Sequence, residues 1–85
     1  VRFVQDIPHQ QFPQFRIGLY AWNGKYIVKI EAGPYEQTYK ISEMDILAPD
    51  AVPRMLDTEF LTCVAERFRA MDTDWQATGE RNEVF

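Results

Sequence analysis

Between Phe15 and Ala32 the apolar side chains fall on alternate positions in two runs, Phe15-Ile17-Leu19-Ala21 and Tyr26-Val28-Ile30-Ala32. A period of two is the mark of a half-buried strand. Asn23-Gly24 lies between the runs, and a two-residue hairpin loop needs residues that tolerate positive φ at both positions. With that loop, Trp22 pairs with Lys25, Ala21 with Tyr26, Leu19 with Val28, Ile17 with Ile30 and Phe15 with Ala32. One face then carries only apolar groups. The other carries Arg16 opposite Glu31, Gly18 opposite Lys29, Tyr20 opposite Ile27 and Trp22 opposite Lys25. A slip of one residue would mix the two sets, so turn and pattern demand the same register.

Gly33-Pro34 is a second turn signal. Tyr35 to Ser42 alternates again, with Tyr35, Tyr39 and Ile41 on the apolar side and Glu36, Thr38 and Lys40 on the other. This pairing sets Glu31 opposite Glu36, an unfavourable contact that the diagonal Lys29 is placed to offset. The expectation is a three-stranded antiparallel meander with one apolar face. Val1-Arg2-Phe3-Val4 has the β preference of a fourth, edge strand. Pro8 and Pro13 prevent an unbroken strand from there into the first hairpin, so residues 1–14 read as an extended arm.

After Ser42 the period lengthens. Ser42-Glu43-Met44-Asp45 has capping-box spacing and predicts a helical turn. Pro49 and Pro53 bound a connector that ends at Leu56. Asp57 is the expected cap of a long helix, with Leu56 and Leu61 spaced as a hydrophobic staple and Glu59 at the positive end of the dipole. Phe60, Leu61, Val64, Phe68, Met71 and Trp75 recur at three- and four-residue spacing as one stripe, with Thr62, Glu66, Arg69 and Thr73 behind it. Val52 and Met55 are out of phase with that stripe. Gly79 suits a C-terminal cap, leaving 80–85 as a frayed tail. The fold class is therefore α+β: a single domain over residues 1–79 with the long helix packed across the apolar sheet face.

The chain has 85 residues and a formal net charge of −4, room for one core and no second lobe. The charge is uneven. Residues 14–42 hold four basic and two acidic side chains, whereas from residue 43 onward ten acidic residues face four arginines. An acidic total opposes non-specific nucleic-acid binding without excluding a local basic surface. Cys63 is the only cysteine, so no internal disulfide forms and a reducing compartment is expected. No apolar run approaches the roughly 20 residues of a membrane span, and the start lacks a basic-then-apolar leader. The expected location is cytoplasmic. A start at Val1 suggests that an initiator methionine or a longer N-terminus has been lost.

Little supports catalysis. His9 and Cys63 are each alone of their type and fall on different elements, with no acid placed to orient either. They cannot make a zinc site within one chain. Cys63 reads as a small, partly buried residue beside the helix stripe. The four glycines are too dispersed for a phosphate loop, and Glu66, Asp72 and Asp74 read as a solvated helix surface. No cofactor or metal is implied. The informative surface is the sheet face away from the helix, where Tyr20, Trp22 and Ile27 are fringed by Arg16, Lys25, Lys29 and Lys40. Such a cluster stabilises a sheet by cross-strand pairing or marks a contact. Self-association, through this face or a sheet edge, is the leading expectation, with another protein as the alternative partner. Single-stranded nucleic acid comes second, since aromatics that stack bases beside cations that meet phosphates are what it requires. In element order and in its Trp22-Asn23-Gly24-Lys25 hairpin, the chain loosely resembles single-stranded-DNA-binding coactivators of the positive-cofactor-four and Whirly kind. That resemblance spans about half the chain and is one of fold only, implying no binding residues. The chain departs from it in its few basic residues and acidic helix.

Overall fold

Two short turns determine the sheet. Asn23 and Gly24 have φ of 54° and 76°, the pair of positive values one kind of two-residue hairpin loop requires, and Gly33 has φ of 59° at the first loop position of the next, the one position where a loop ending in proline needs it. A computed structural model of the chain, which describes residues 1–48 and 50–85, places a four-stranded antiparallel sheet in the order β1 (Arg2–Asp6), β2 (Arg16–Trp22), β3 (Lys25–Ala32) and β4 (Tyr35–Ser42). The β2–β3 register runs from Arg16–Glu31 to Trp22–Lys25, with Leu19 opposite Val28 as the pattern demands. Phe15 falls just before β2, so its expected pairing with Ala32 is not part of the ladder. The β3–β4 register sets Val28 opposite Tyr39, Tyr26 opposite Ile41 and Glu31 opposite Glu36. The like-charged pair is eased differently from expectation. The Thr38 hydroxyl donates to Glu36 at 2.8 Å, while Lys29 Nζ lies 5.2 Å from the Tyr20 ring centroid.

The N-terminal segment, expected as an extended arm, is integral to the fold. β1 pairs with β2 through Phe3–Tyr20 and Gln5–Leu19, with a bulge between Phe3 and Gln5 that sends Val4 toward the core. The loop after β1 is held by Ile7 N–H donating to the Ile17 carbonyl at 2.9 Å. Ile7 and Phe15 are buried, and rings run from His9 through Phe12 and Phe15 to Phe68 at successive centroid distances of 5.4, 5.4 and 5.5 Å. Prolines stop the strand there, but they leave the apolar side chains free to fold in.

After β4 comes a 3-10 turn, Glu43–Asp45, capped by Ser42 Oγ, then α1 (Ala51–Met55) and α2 (Thr58–Arg81). The connector thus contains a helix of its own, whose Val52 is buried while Met55 is exposed. Pro49, expected as one bound of the connector, lies outside the described residues. Asp57 caps α2, accepting from Phe60 N–H at 2.9 Å, and the staple residues Leu56 and Leu61 are both buried. The helix does not stop at Gly79. It continues through Arg81, and Glu83 takes the left-handed conformation at φ 57°. Glu83 N–H reaches the Glu80 carbonyl and Val84 N–H the Gly79 carbonyl, the double closure of a Schellman motif. Residues 82–85 therefore fold back, with the Phe85 ring against the Gly79 backbone, where a Cβ would collide with it.

Leu19, Val28, Ile30, Val52, Leu61 and Val64 form the most deeply buried layer, between sheet and helices. The molecule is nevertheless long. Its extents are 48 × 29 × 18 Å and its radius of gyration is 15.0 Å, against about 12 Å for a compact chain of this length.

Candidate functional site

Two surfaces compete for a functional role, one on each side of the sheet. The first is the face without helices. All seven side chains expected there, Arg16, Tyr20, Trp22, Lys25, Ile27, Lys29 and Lys40, do lie on it, because the register is as expected. Their exposure changes the picture. Ile27 is only 6% exposed, although it lies outside the main core cluster. It sits on an inner strand, opposite Tyr20 on β2 and Lys40 on β4. Ile27 therefore offers nothing to a partner.

Tyr20 is half-buried for a reason that starts at Gly18. A Cβ on Gly18 would lie 3.0 Å from the Tyr20 ring, so the missing side chain gives the ring a place on the strand backbone. The Phe3 ring meets Tyr20 edge-on at 5.5 Å, and Lys29 lies over it. An aromatic covering a strand glycine stabilises a sheet. Arg16 shares a groove of about 360 Å³ with Asp6, Glu31, Gly18, Tyr20 and Phe3, so two carboxylates line the groove beside this cation. Of the seven, Arg16, Trp22, Lys25 and Lys40 are exposed, and Phe3 of β1 is exposed beside them. Nothing in the local pattern singles out Phe3, because its place beside Tyr20 depends on the β1 bulge.

The second surface lies at the far end of α2. Along its first half the helix follows β4: Phe60 meets Tyr39 edge-on at 5.3 Å, and Gln37 Nε2 donates to the Val64 carbonyl at 3.0 Å. Tyr39 in turn donates to Gln37 Oε1 at 2.7 Å, so a polar residue on the apolar face is satisfied on both sides. Beyond Phe68 the helix passes the Gly33-Pro34 turn and outruns the sheet. Met71 is half-buried, Trp75 is 55% exposed and Phe85 is 60% exposed, the two rings touching edge-on at 6.2 Å. Together with Pro34, Tyr35, Asp74 and Thr78, Met71 and Trp75 line an open cleft of about 650 Å³. Tyr35 anchors its inner end, donating to Asp72 Oδ1 at 2.7 Å. That hydrogen bond, with some burial and the nearby carboxylate charge, raises the phenol pKa above its ordinary value.

At the opposite end of β4 the turn and connector expose Met44, Leu47 and Met55. A smaller cleft of about 240 Å³ opens there between Met55, Val52, Leu56 and Phe60 on the helical side and Val28, Tyr39 and Ile41 on the sheet. Trp75 belongs to the stripe that helical periodicity assigns to the core, and the structure instead leaves it in water.

Candidate chemistry is sparse. Cys63, expected to be partly buried, is exposed on α2, with Arg67 donating to its carbonyl. His9 Nδ1 accepts from Gln11 N–H at 3.2 Å, which gives the ring a turn-stabilising role. Among the described residues no three His, Cys, Asp or Glu side chains gather as a metal site, and no helix is long and apolar enough to cross a membrane. No family model, curated protein or solved structure matches the chain.

Proposed function

We propose that the protein is a small non-catalytic interaction module whose partner is a second copy of itself. The observation that carries this reading is the mismatch between α2 and the sheet. It leaves Trp75 and Phe85 more than half exposed at one end of β4, while at the other end the turn and connector expose Met44, Leu47 and Met55. Apolar groups gathered at two places on a small domain mark contacts rather than chance exposure, and a closed two-fold dimer is the commonest way to cover them. Sedimentation across protein concentration tests it. A dimer that dissociates on dilution is expected, and a monomer at all concentrations would end the self-association reading.

Single-stranded nucleic acid is the second reading, favoured by half-exposed Phe3 and Trp22 beside Lys25 and Lys40. The carboxylates beside Arg16 and the lodging of Lys29 over Tyr20 weaken it. A fluorescent oligonucleotide should bind no tighter than the non-specific level of about 10⁻⁴–10⁻⁶ M. Tight binding that falls steeply with salt would reverse the ranking.

A further inference from the structure

The two sheet edges differ. β1 is five residues long and bulged, features that blunt an edge, whereas β4 pairs with β3 over eight consecutive residues without a shift. Ala32 and Tyr35 close a two-residue loop and so form a hydrogen-bonded pair, and the same phase returns where Glu43 N–H donates to the Gly24 carbonyl at 3.0 Å. Alternation then turns the backbone N–H and C=O of Glu36, Thr38 and Lys40 outward from the sheet. These are groups that seek a partner strand.

The side chains of those three residues read the same way from either end. In an antiparallel pairing centred on Thr38, Glu36 of each copy faces Lys40 of the other and Thr38 faces itself. Pairing centred on Glu36 or on Lys40 would set like charges together. The geometry points to a two-fold dimer in which β4 pairs with β4 of a second copy about Thr38, joining two sheets into one of eight strands. This deepens the self-association reading and rests on it.

Three further features agree with that axis. Phe60 lies at Tyr39 and the Val64 carbonyl at Gln37, so the stretch of α2 between them is level with Thr38. Thr58 bonds Gln11 on the β1–β2 side, and Cys63 is about 140° round the helix from Thr58, on the flank toward the free β4 edge. Two α2 helices would thus run antiparallel beside the seam, with the exposed Cys63 residues near the axis and Glu59 of one helix toward Arg67 of the other. Antiparallel pairing also brings the far end of one β4 to the near end of the other. The overhanging Met71 and Trp75 of one copy then meet the end of the second copy where Met44, Leu47 and Met55 are bare.

Reversal of charge tests the register. Glu36→Lys and Lys40→Glu each create two like-charged pairs across the axis and should raise the dimer dissociation constant by about tenfold or more. The double variant restores opposite charges and should return to within about threefold of the wild type. Mild oxidation should link wild-type chains through Cys63, fail in both single variants and recover in the double. Circular dichroism confirms that each variant is folded. A stable dimer indifferent to both single changes would overturn this interface while sparing the self-association reading. A wild-type monomer at all concentrations would overturn both.

Discussion

The two halves of α2 carry the same apolar spacing and meet different fates. From Thr58 to Phe68 the stripe residues Leu61, Val64 and Phe68 are buried on the sheet. From Met71 to Arg81 the stripe continues through Trp75, yet only Gly79 is buried, and that by the returning Phe85 ring. The cause is length. Twenty-four helical residues span about 36 Å, whereas the eight residues of β3 or β4 span about 27 Å, and α2 does not begin at the sheet margin. An amphipathic pattern states which side of an element avoids water. It does not state whether anything stands opposite to receive it.

Substitution at matched stripe positions gives the largest test of this contrast. Leu61→Ala opens a cavity in the deepest layer and should cost about 2–5 kcal/mol. Trp75→Ala, at a concentration low enough to hold the monomer, should cost no more than about 0.5 kcal/mol despite removing a larger side chain. Urea unfolding of both variants decides, and equal losses would mean that the overhang is packed as tightly as the core.

The helix ends offer the next comparison. Asp57→Ala removes the bond to Phe60 N–H at the packed end and should cost about 0.5–2 kcal/mol. Glu83→Gly places the favoured residue at φ 57° on the overhang and should be neutral or raise stability by up to about 1 kcal/mol. Native-state hydrogen exchange separates the halves independently. Amides near Leu61 to Phe68 should open only with the whole domain, and those of residues 74–81 by local fraying.

The smallest effect sits where the halves join. Tyr35 holds Asp72, and its pKa is raised, so the folded state binds the phenolic proton more tightly than the unfolded chain does. Its contribution is fully present below the ordinary tyrosine value of 10.0 and is lost as pH rises through the higher folded value. Tyr35→Phe should change stability little at neutral pH and should abolish this part of the alkaline stability loss. An unchanged alkaline profile would show that the Tyr35–Asp72 bond does not couple the sheet to the overhang.

Much of the fold was legible because its determinants are local. Asn23-Gly24 and Gly33-Pro34 leave each hairpin one register that keeps its apolar residues together, and that register carried all seven candidate surface residues to one face. Asp57 was legible as a cap for the same reason, since its partner is three residues away. The helix end was not legible, because a Schellman closure tolerates Glu83 at a position where glycine is the usual signal.

What the sequence by itself determined is therefore the meander register, the succession of its three strands and the long helix, and the sidedness of each, all of which depend on spacing and turn chemistry within a few residues. The tertiary structure alone decided the bulged pairing of β1, the infolding of residues 7–15, the burial of Ile27 and the exposure of Trp75. Each of those depends on what a distant segment places opposite, and on the relative lengths of helix and sheet. Periodicity records neither.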